Sequence, residues 1–217
     1  MVTAILAAPQ QLSIRYRMEK AAAKGQRQAT RQIRDRDAWI TGAIAILAEH
    51  GVDGLRVETL AKRLGVTKGS FYWHFKDRRD LFDAVLTHWK DGRIKDIRKQ
   101  THCAPGGEAQ ALLDTIEVYA AVRNRKGLLI EAAVRDWARR DTHAATMVAD
   151  VDAERLACAC RLFLACGMDD TEARARSVMF YAYIFGISLM RCERFAPDLV
   201  DLKRRIARHI ADGTRTS

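Results

Sequence analysis

Between residues 67 and 78 the chain gathers side chains that can meet a polyanion and read its surface: Thr67, Lys68, Ser70, Tyr72, Trp73, His74, Lys76 and Arg78. Hydroxyls, cations and aromatic rings so close together can reach the base edges and phosphates of duplex DNA at once. Gly69 lets the backbone approach a groove. Lys76, Arg78 and Arg79 set positive charge where phosphates would lie. No comparable set points to catalysis. The sequence has no Ser/His/Asp arrangement, no glycine-rich phosphate loop and no HExxH. His74, His88, His102 and His143 are scattered without ligand spacing. The expectation is no catalytic residue, no metal and no cofactor.

Those side chains need helices to present them. Val57, Leu60, Ala61 and Leu64 fall at i, i+3, i+4 and i+7, one apolar stripe on a helix of about two turns, with Glu58, Lys62 and Arg63 on its other face. Gly65 follows, where positive φ costs little. Val66 can plug the core beneath the turn. Thr67 is expected to N-cap a second short helix over 68–73. Phe75 resumes the apolar pattern, and Asp77 or Asp80 favours the next helix start. Upstream, residues 37–50 carry Ile40, Ala43, Ile44 and Leu47 at helical spacing, with Trp39 and Ile46 flanking and Gly51 at the end. This helix would pack across the other two. The layout is a helix-turn-helix; on spacing alone, an ordinary helical hairpin with a glycine turn is the alternative.

The run Leu64-Gly-Val-Thr-Lys-Gly-Ser-Phe-Tyr-Trp-His-Phe-Lys-Asp-Arg78, followed by Asp80-Leu-Phe82, resembles the TetR family of bacterial transcriptional regulators, of the AcrR-like kind. The resemblance extends through Ala48-Glu-His-Gly51 and Gly54-Leu-Arg-Val57. It implies a recognition role for Thr67, Lys68, Gly69, Ser70 and Trp73. It implies phosphate contacts for Tyr72, His74 and Arg78. At position 78 the family commonly has Lys, and the two cations differ in geometry. Arg56 stands where the family often has a capping Thr, so that helix is expected to be capped weakly or by another residue.

Charge supports a polyanionic partner, though its location matters more than its sum. The 217 residues carry a net +10, and residues 1–36 hold eight Lys or Arg against Glu19 and Asp35. Residues 1–33 form a basic N-terminal extension. It reads either as an arm following a groove or the phosphates, or, the favoured reading, as a flexible tail or a start assigned upstream of Met18. Its opening apolar run is too short to span a membrane and lacks the positive start of a secretory signal. Five cysteines (Cys103, Cys158, Cys160, Cys166 and Cys192) without a signal fit a reducing, cytoplasmic setting. Packing on apolar helices is their expected role; thiol sensing is the alternative.

The expected fold is all-α. Residues 34–81 form the helix-turn-helix unit, and residues 82–217 a helical effector-binding and dimerisation domain. A long helix from Leu81 to about residue 100 would link the two. A loop at 102–107 follows, then helices over 108–122, 124–140, 142–166, 171–192 and 197–211. An effector pocket, implied by the resemblance, would draw on Trp89, Leu112, Ile116, Tyr119 and Leu129, with Trp137, Met147, Phe163 and Tyr183. The same residues could simply fill the core. The stretch 178–190 is apolar on most sides and asks for a partner subunit. By resemblance the last two helices form the dimer interface, with Phe180, Tyr181, Ile184 and Ser188 on one and Leu202 and Ile206 on the other. The function implied is a repressor that binds a palindromic DNA operator as a homodimer and is released by a small apolar ligand. The alternatives are a DNA-binding regulator answering a partner protein or cysteine redox state, and, more distantly, a helical enzyme.

Overall fold

The computed structural model describes residues 35–120, 125–190, 192, 194–195 and 198–211, and the basic extension lies outside these. Among the described residues all regular structure is helical. The helices are α1 (Arg36–His50), α2 (Val57–Leu64), α3 (Arg78–Gln100), α4 (Glu108–Ala120), α5 (Arg125–Ala138), α6 (Thr142–Ala165), α7 (Asp170–Leu189) and α8 (Leu199–Ala211). A 3-10 turn, Val52–Gly54, precedes α2, and a 3-10 helix, Lys68–Trp73, follows it. None of the described helices is long and apolar enough to cross a membrane.

Four helices start by one device. Asp35, Asp77, Asp141 and Asp169 each accept, at 2.9 Å, the N–H three residues on: Ala38, Asp80, Ala144 and Glu172. A carboxylate there satisfies an orphan donor and complements the helix dipole. The helix α2 has no such cap; Arg56 makes no side-chain bond to it. Its end is firm, because Gly65 takes φ 68° and its N–H turns back to Ala61 and Lys62 carbonyls.

The apolar stripe of α1 is broader than the spacing suggested. Trp39 and Ile46 are fully inside with Ile40, Ala43 and Leu47, whereas Ile44 is only half-buried. The reason is that α1 packs on several neighbours at once: α2, α3 and α5. It crosses α2 closely at Gly42, where a Cβ would stand 3.0 Å from Leu60 Cδ1 and 3.2 Å from Leu64 Cδ2.

Two apolar clusters fill the molecule. The first joins the three-helix unit to α3, α5 and the first half of α6, running from Trp39 and Phe71 through Val85 and Trp89 to Trp137 and Val151. It therefore continues across residue 81. The second joins α4, the end of α6, α7 and α8 around Leu112, Phe163 and Phe180. Between α5, α6 and α7 lies a buried ion network. Arg155 bonds both Glu131 oxygens at 2.8 and 2.9 Å and Asp152 at 2.9 Å. Arg135 bonds Glu131 and holds Asp152 in a fork at 2.6 and 2.9 Å. Both guanidinium groups lie over Phe185, at 4.6 and 5.1 Å.

Candidate nucleic-acid interface

Phe71 is the foot of the presented surface. It is fully buried, meets Trp39 edge-on at 5.5 Å and stacks on Phe75 at 5.2 Å. With residue 71 pinned inward, its neighbours on the 3-10 helix must face out. Tyr72 is 58% and Trp73 71% exposed, unusually high for large aromatic residues and a sign of a surface meant for contact. Thr67, Lys68 and Gly69 are exposed beside them, as are Lys76 and Arg78; Ser70 and His74 are half-buried. All nine residues expected at a DNA surface thus lie on one short segment and the start of α3.

Their bonding refines the expected roles. Thr67 makes no side-chain cap; instead Ser70 Oγ donates to the Thr67 carbonyl at 2.7 Å, so the serine closes the turn locally. Lys68 Nζ reaches across the glycine turn to Glu58 Oε1 at 2.5 Å. That hydrogen bond pushes the Lys68 pKa up and holds the Glu58 carboxyl below its usual range. The composition of the stretch showed no sign of this partner, because Glu58 sits ten residues upstream and meets Lys68 only once the turn has formed. His74 leans on Trp39 with ring centroids 6.5 Å apart, and its Nε2 is enclosed without a hydrogen-bond partner. Arg78 donates from Nε to the Leu55 carbonyl at 3.1 Å and lies over Phe82 at 4.7 Å. It ties α3 to the segment before α2, leaving its terminal nitrogens for an anion. Lys76 makes no ion pair among the described residues, so its charge is the more available one.

The unit is clamped to the rest of the chain by charge as well as by the shared core. Arg79 Nη1 bonds Asp141 at 3.0 Å, and Arg140 approaches Asp53 at 3.4 Å. The helix α5 packs against both α1 and the 3-10 turn ahead of α2.

The residues expected to line one effector pocket do not converge. Trp89, Trp137 and Met147 belong to the first apolar cluster; Leu112, Ile116, Phe163 and Tyr183 belong to the second. Leu129 is 50% exposed, and the Tyr119 side chain lies outside the described ones. Helical spacing marks which residues turn inward but not which of two cores they enter. Trp89 Nε1 and Tyr183 Oη are enclosed without a hydrogen-bond partner.

Three of the six residues expected at a dimer face turn inward. Phe180 (1% exposed), Tyr181 and Ile184 lie in the subunit's own core, where Phe180 meets Phe163 and Tyr181 edge-on. Ser188 is half-buried and donates to the Phe185 carbonyl; Leu202 and Ile206 are half-buried. The outward stripe of α7 is instead Val178, Met179, Ala182 and Leu189. A stretch apolar on every side carries no signal for which side faces in.

Comparison with known proteins gives these features a context. Residues 40–85 match the family model described as bacterial regulatory proteins, tetR family. The HTH-type transcriptional regulator AcrR of Shigella flexneri is 25% identical over 193 residues, covering 78% of this chain and 82% of that one. The class A tetracycline repressor from transposon 1721, in Escherichia coli, is 50% identical over 46 residues, 21% of each chain. The fold of a TetR-family member from Streptomyces coelicolor A3 superposes with a TM-score of 0.58 at 24% identity, over 82% of this chain and 98% of that one. An outward-facing segment on an aromatic foot, within residues that match this family model and in a chain similar to these regulators over most of its length, supports a TetR-family, AcrR-like DNA-binding transcriptional regulator.

Proposed function

We propose that the chain is a repressor that binds a palindromic operator as a homodimer and lets go when a small molecule binds its C-terminal half. The observation that carries the DNA side is the exposure of Tyr72 and Trp73 beside Lys68, Gly69 and Lys76 while Phe71 anchors the segment from below. The side chains of Lys68, Ser70 and Trp73 face the bases; Tyr72, Lys76 and the terminal nitrogens of Arg78 meet phosphates. The Lys68–Glu58 pair holds the lysine in place, and Lys68 exchanges that carboxylate for a base or phosphate acceptor on binding.

The dimer reading rests on the apolar stripe of Val178, Met179, Ala182 and Leu189, which is exposed among the described residues of one subunit. A two-fold axis through that face sets two recognition segments against half-sites about 34–36 Å apart. Release works through the clamp. The helices α5 and α6 hold the three-helix unit through Arg79–Asp141, Arg140–Asp53 and the packing of α1 on α5. A ligand that favours another placement of these helices alters the half-site separation by linkage. A thiol switch at Cys166 is less favoured: the residue is exposed, yet desolvation of its sulfur, then the nearby Glu108 and Cys103, push the thiol pKa up, which lowers its thiolate fraction.

Selection of duplexes from a random pool by the purified full chain, followed by footprinting, tests the reading. It predicts protection of an inverted repeat with half-site centres one helical turn apart. Protection of a single unrepeated site, or none, would sink it.

A further inference from the structure

Sequence spacing gave no sign of a groove between α4 and α8, yet these helices lie side by side and leave one of about 500 Å³ open to solvent. Leu113 and Ile116 of α4 and Val200 and Ala207 of α8 make its apolar wall; Ile116 is the one residue here also expected to touch an effector. Lys203, Arg204 and Arg208 stand along the α8 rim, with Glu117 and Gln110 on the α4 side. Positions 200, 203, 204, 207 and 208 share one helix face, so the cations and the apolar wall are presented together. Arg204 has only a long, exposed contact to Asp201 at 3.4 Å, and Lys203, Arg208 and Glu117 make no ion pair among the described residues.

We propose that this groove binds an amphipathic organic monoanion. The apolar body lies on Leu113, Ile116, Val200 and Ala207, and Lys203 and Arg208 receive the carboxylate. The volume falls inside the range of small-molecule sites. The stripe of Val178, Met179, Ala182 and Leu189 lies outside the groove's lining. Glu117 disfavours a second acid group on the ligand. The site deepens the ligand-release reading and depends on it for the effect on DNA, but not for binding itself.

Calorimetric titration of the full chain with decanoate, kept below micelle formation, tests the assignment, with decan-1-ol as the uncharged comparator. The expected result is saturable binding of one decanoate per chain, at least tenfold tighter than the alcohol and weakened at least tenfold in Lys203→Gln/Arg208→Gln. Val200→Glu, which sets a carboxylate on the exposed part of the wall, should weaken it similarly and stands as a second variant should the first fold poorly. The assignment is overturned by absent or non-saturable uptake, by equal affinity for the alcohol, or by unchanged affinity in correctly folded variants. Saturable, variant-sensitive decanoate binding that leaves operator DNA bound supports the groove and overturns the release reading instead.

Discussion

Removing Arg155 alone should destabilise the protein strongly, whereas removing it together with Glu131 should not. Arg155 is 1% exposed, and its guanidinium supplies two of the bonds that satisfy the buried Glu131 carboxylate. In Arg155→Met, Glu131 keeps only the bond from Arg135 Nε at 2.9 Å and remains a buried, under-paired charge. Breaking a buried pair from one side costs about 3–5 kcal/mol. The surviving Arg135 contact places this case near the lower end, at about 3 kcal/mol. In Glu131→Leu/Arg155→Met no charge is stranded, because Arg135 keeps its forked pair with Asp152. The double variant should therefore lie within about 1 kcal/mol of the parent, since apolar replacement of a buried pair is often neutral. Urea unfolding at fixed protein concentration, with Glu131→Leu completing the cycle, measures a coupling of at least about 2 kcal/mol. If Arg155→Met costs less than about 1 kcal/mol, or the double variant is as unstable as the two singles summed, the network does not hold α5, α6 and α7 as described.

Three further outcomes follow from local geometry. Gly65→Ala should lose about 1 kcal/mol in urea unfolding from its φ of 68° alone, because a Cβ there meets nothing within 4 Å; an unchanged midpoint would contradict the left-handed cap. Val178→Glu should turn the proposed dimer into a monomer in sedimentation velocity while leaving the helical content intact; an unshifted dimer would place the interface elsewhere. The Asp141 carboxyl is held below its usual range by the hydrogen bond from Ala144 N–H, with burial opposing and the Arg79 charge and bond adding to the effect. A depressed folded-state pKa contributes stability that is complete above the ordinary carboxylate range and disappears as pH falls through the folded value. Asp141→Ala should thus cost about 1 kcal/mol at neutral pH, and the gap should close below about pH 4; a gap that persists in acid would show that the loss is not that of the charged cap.

The helices and their inward positions are legible in the sequence because local rules govern them. The stripe of Leu60, Ala61 and Leu64 and the glycine at 65 are where spacing puts them, and Thr67, Lys68, Gly69, Tyr72, Trp73, Lys76 and Arg78 are exposed along one segment. Spacing does not supply what requires the third dimension. Trp39 looks peripheral to its helix yet supports Phe71, because α1 meets three neighbours. Nothing local joins Lys68 to Glu58, or shows that one nitrogen of His74 is enclosed. The outward face of α7 lies away from the expected one, since Phe180 and Met179 are equally apolar and only packing tells them apart. The effector residues divide between two cores for a similar reason: periodicity gives direction, not destination.

The central claim is that residues 67–78 read DNA, and anisotropy titration of the selected duplex against salt tests it most directly. Trp73→Ala removes a ring that is largely in solvent, so it should leave the unfolding midpoint unchanged. It should weaken the selected site at least about tenfold and narrow its margin over random duplex. Lys76→Ala should weaken both duplexes alike and flatten the salt slope by about one per recognition unit. If both variants bind with the parent's affinity, discrimination and salt slope, this segment is not the DNA-reading surface.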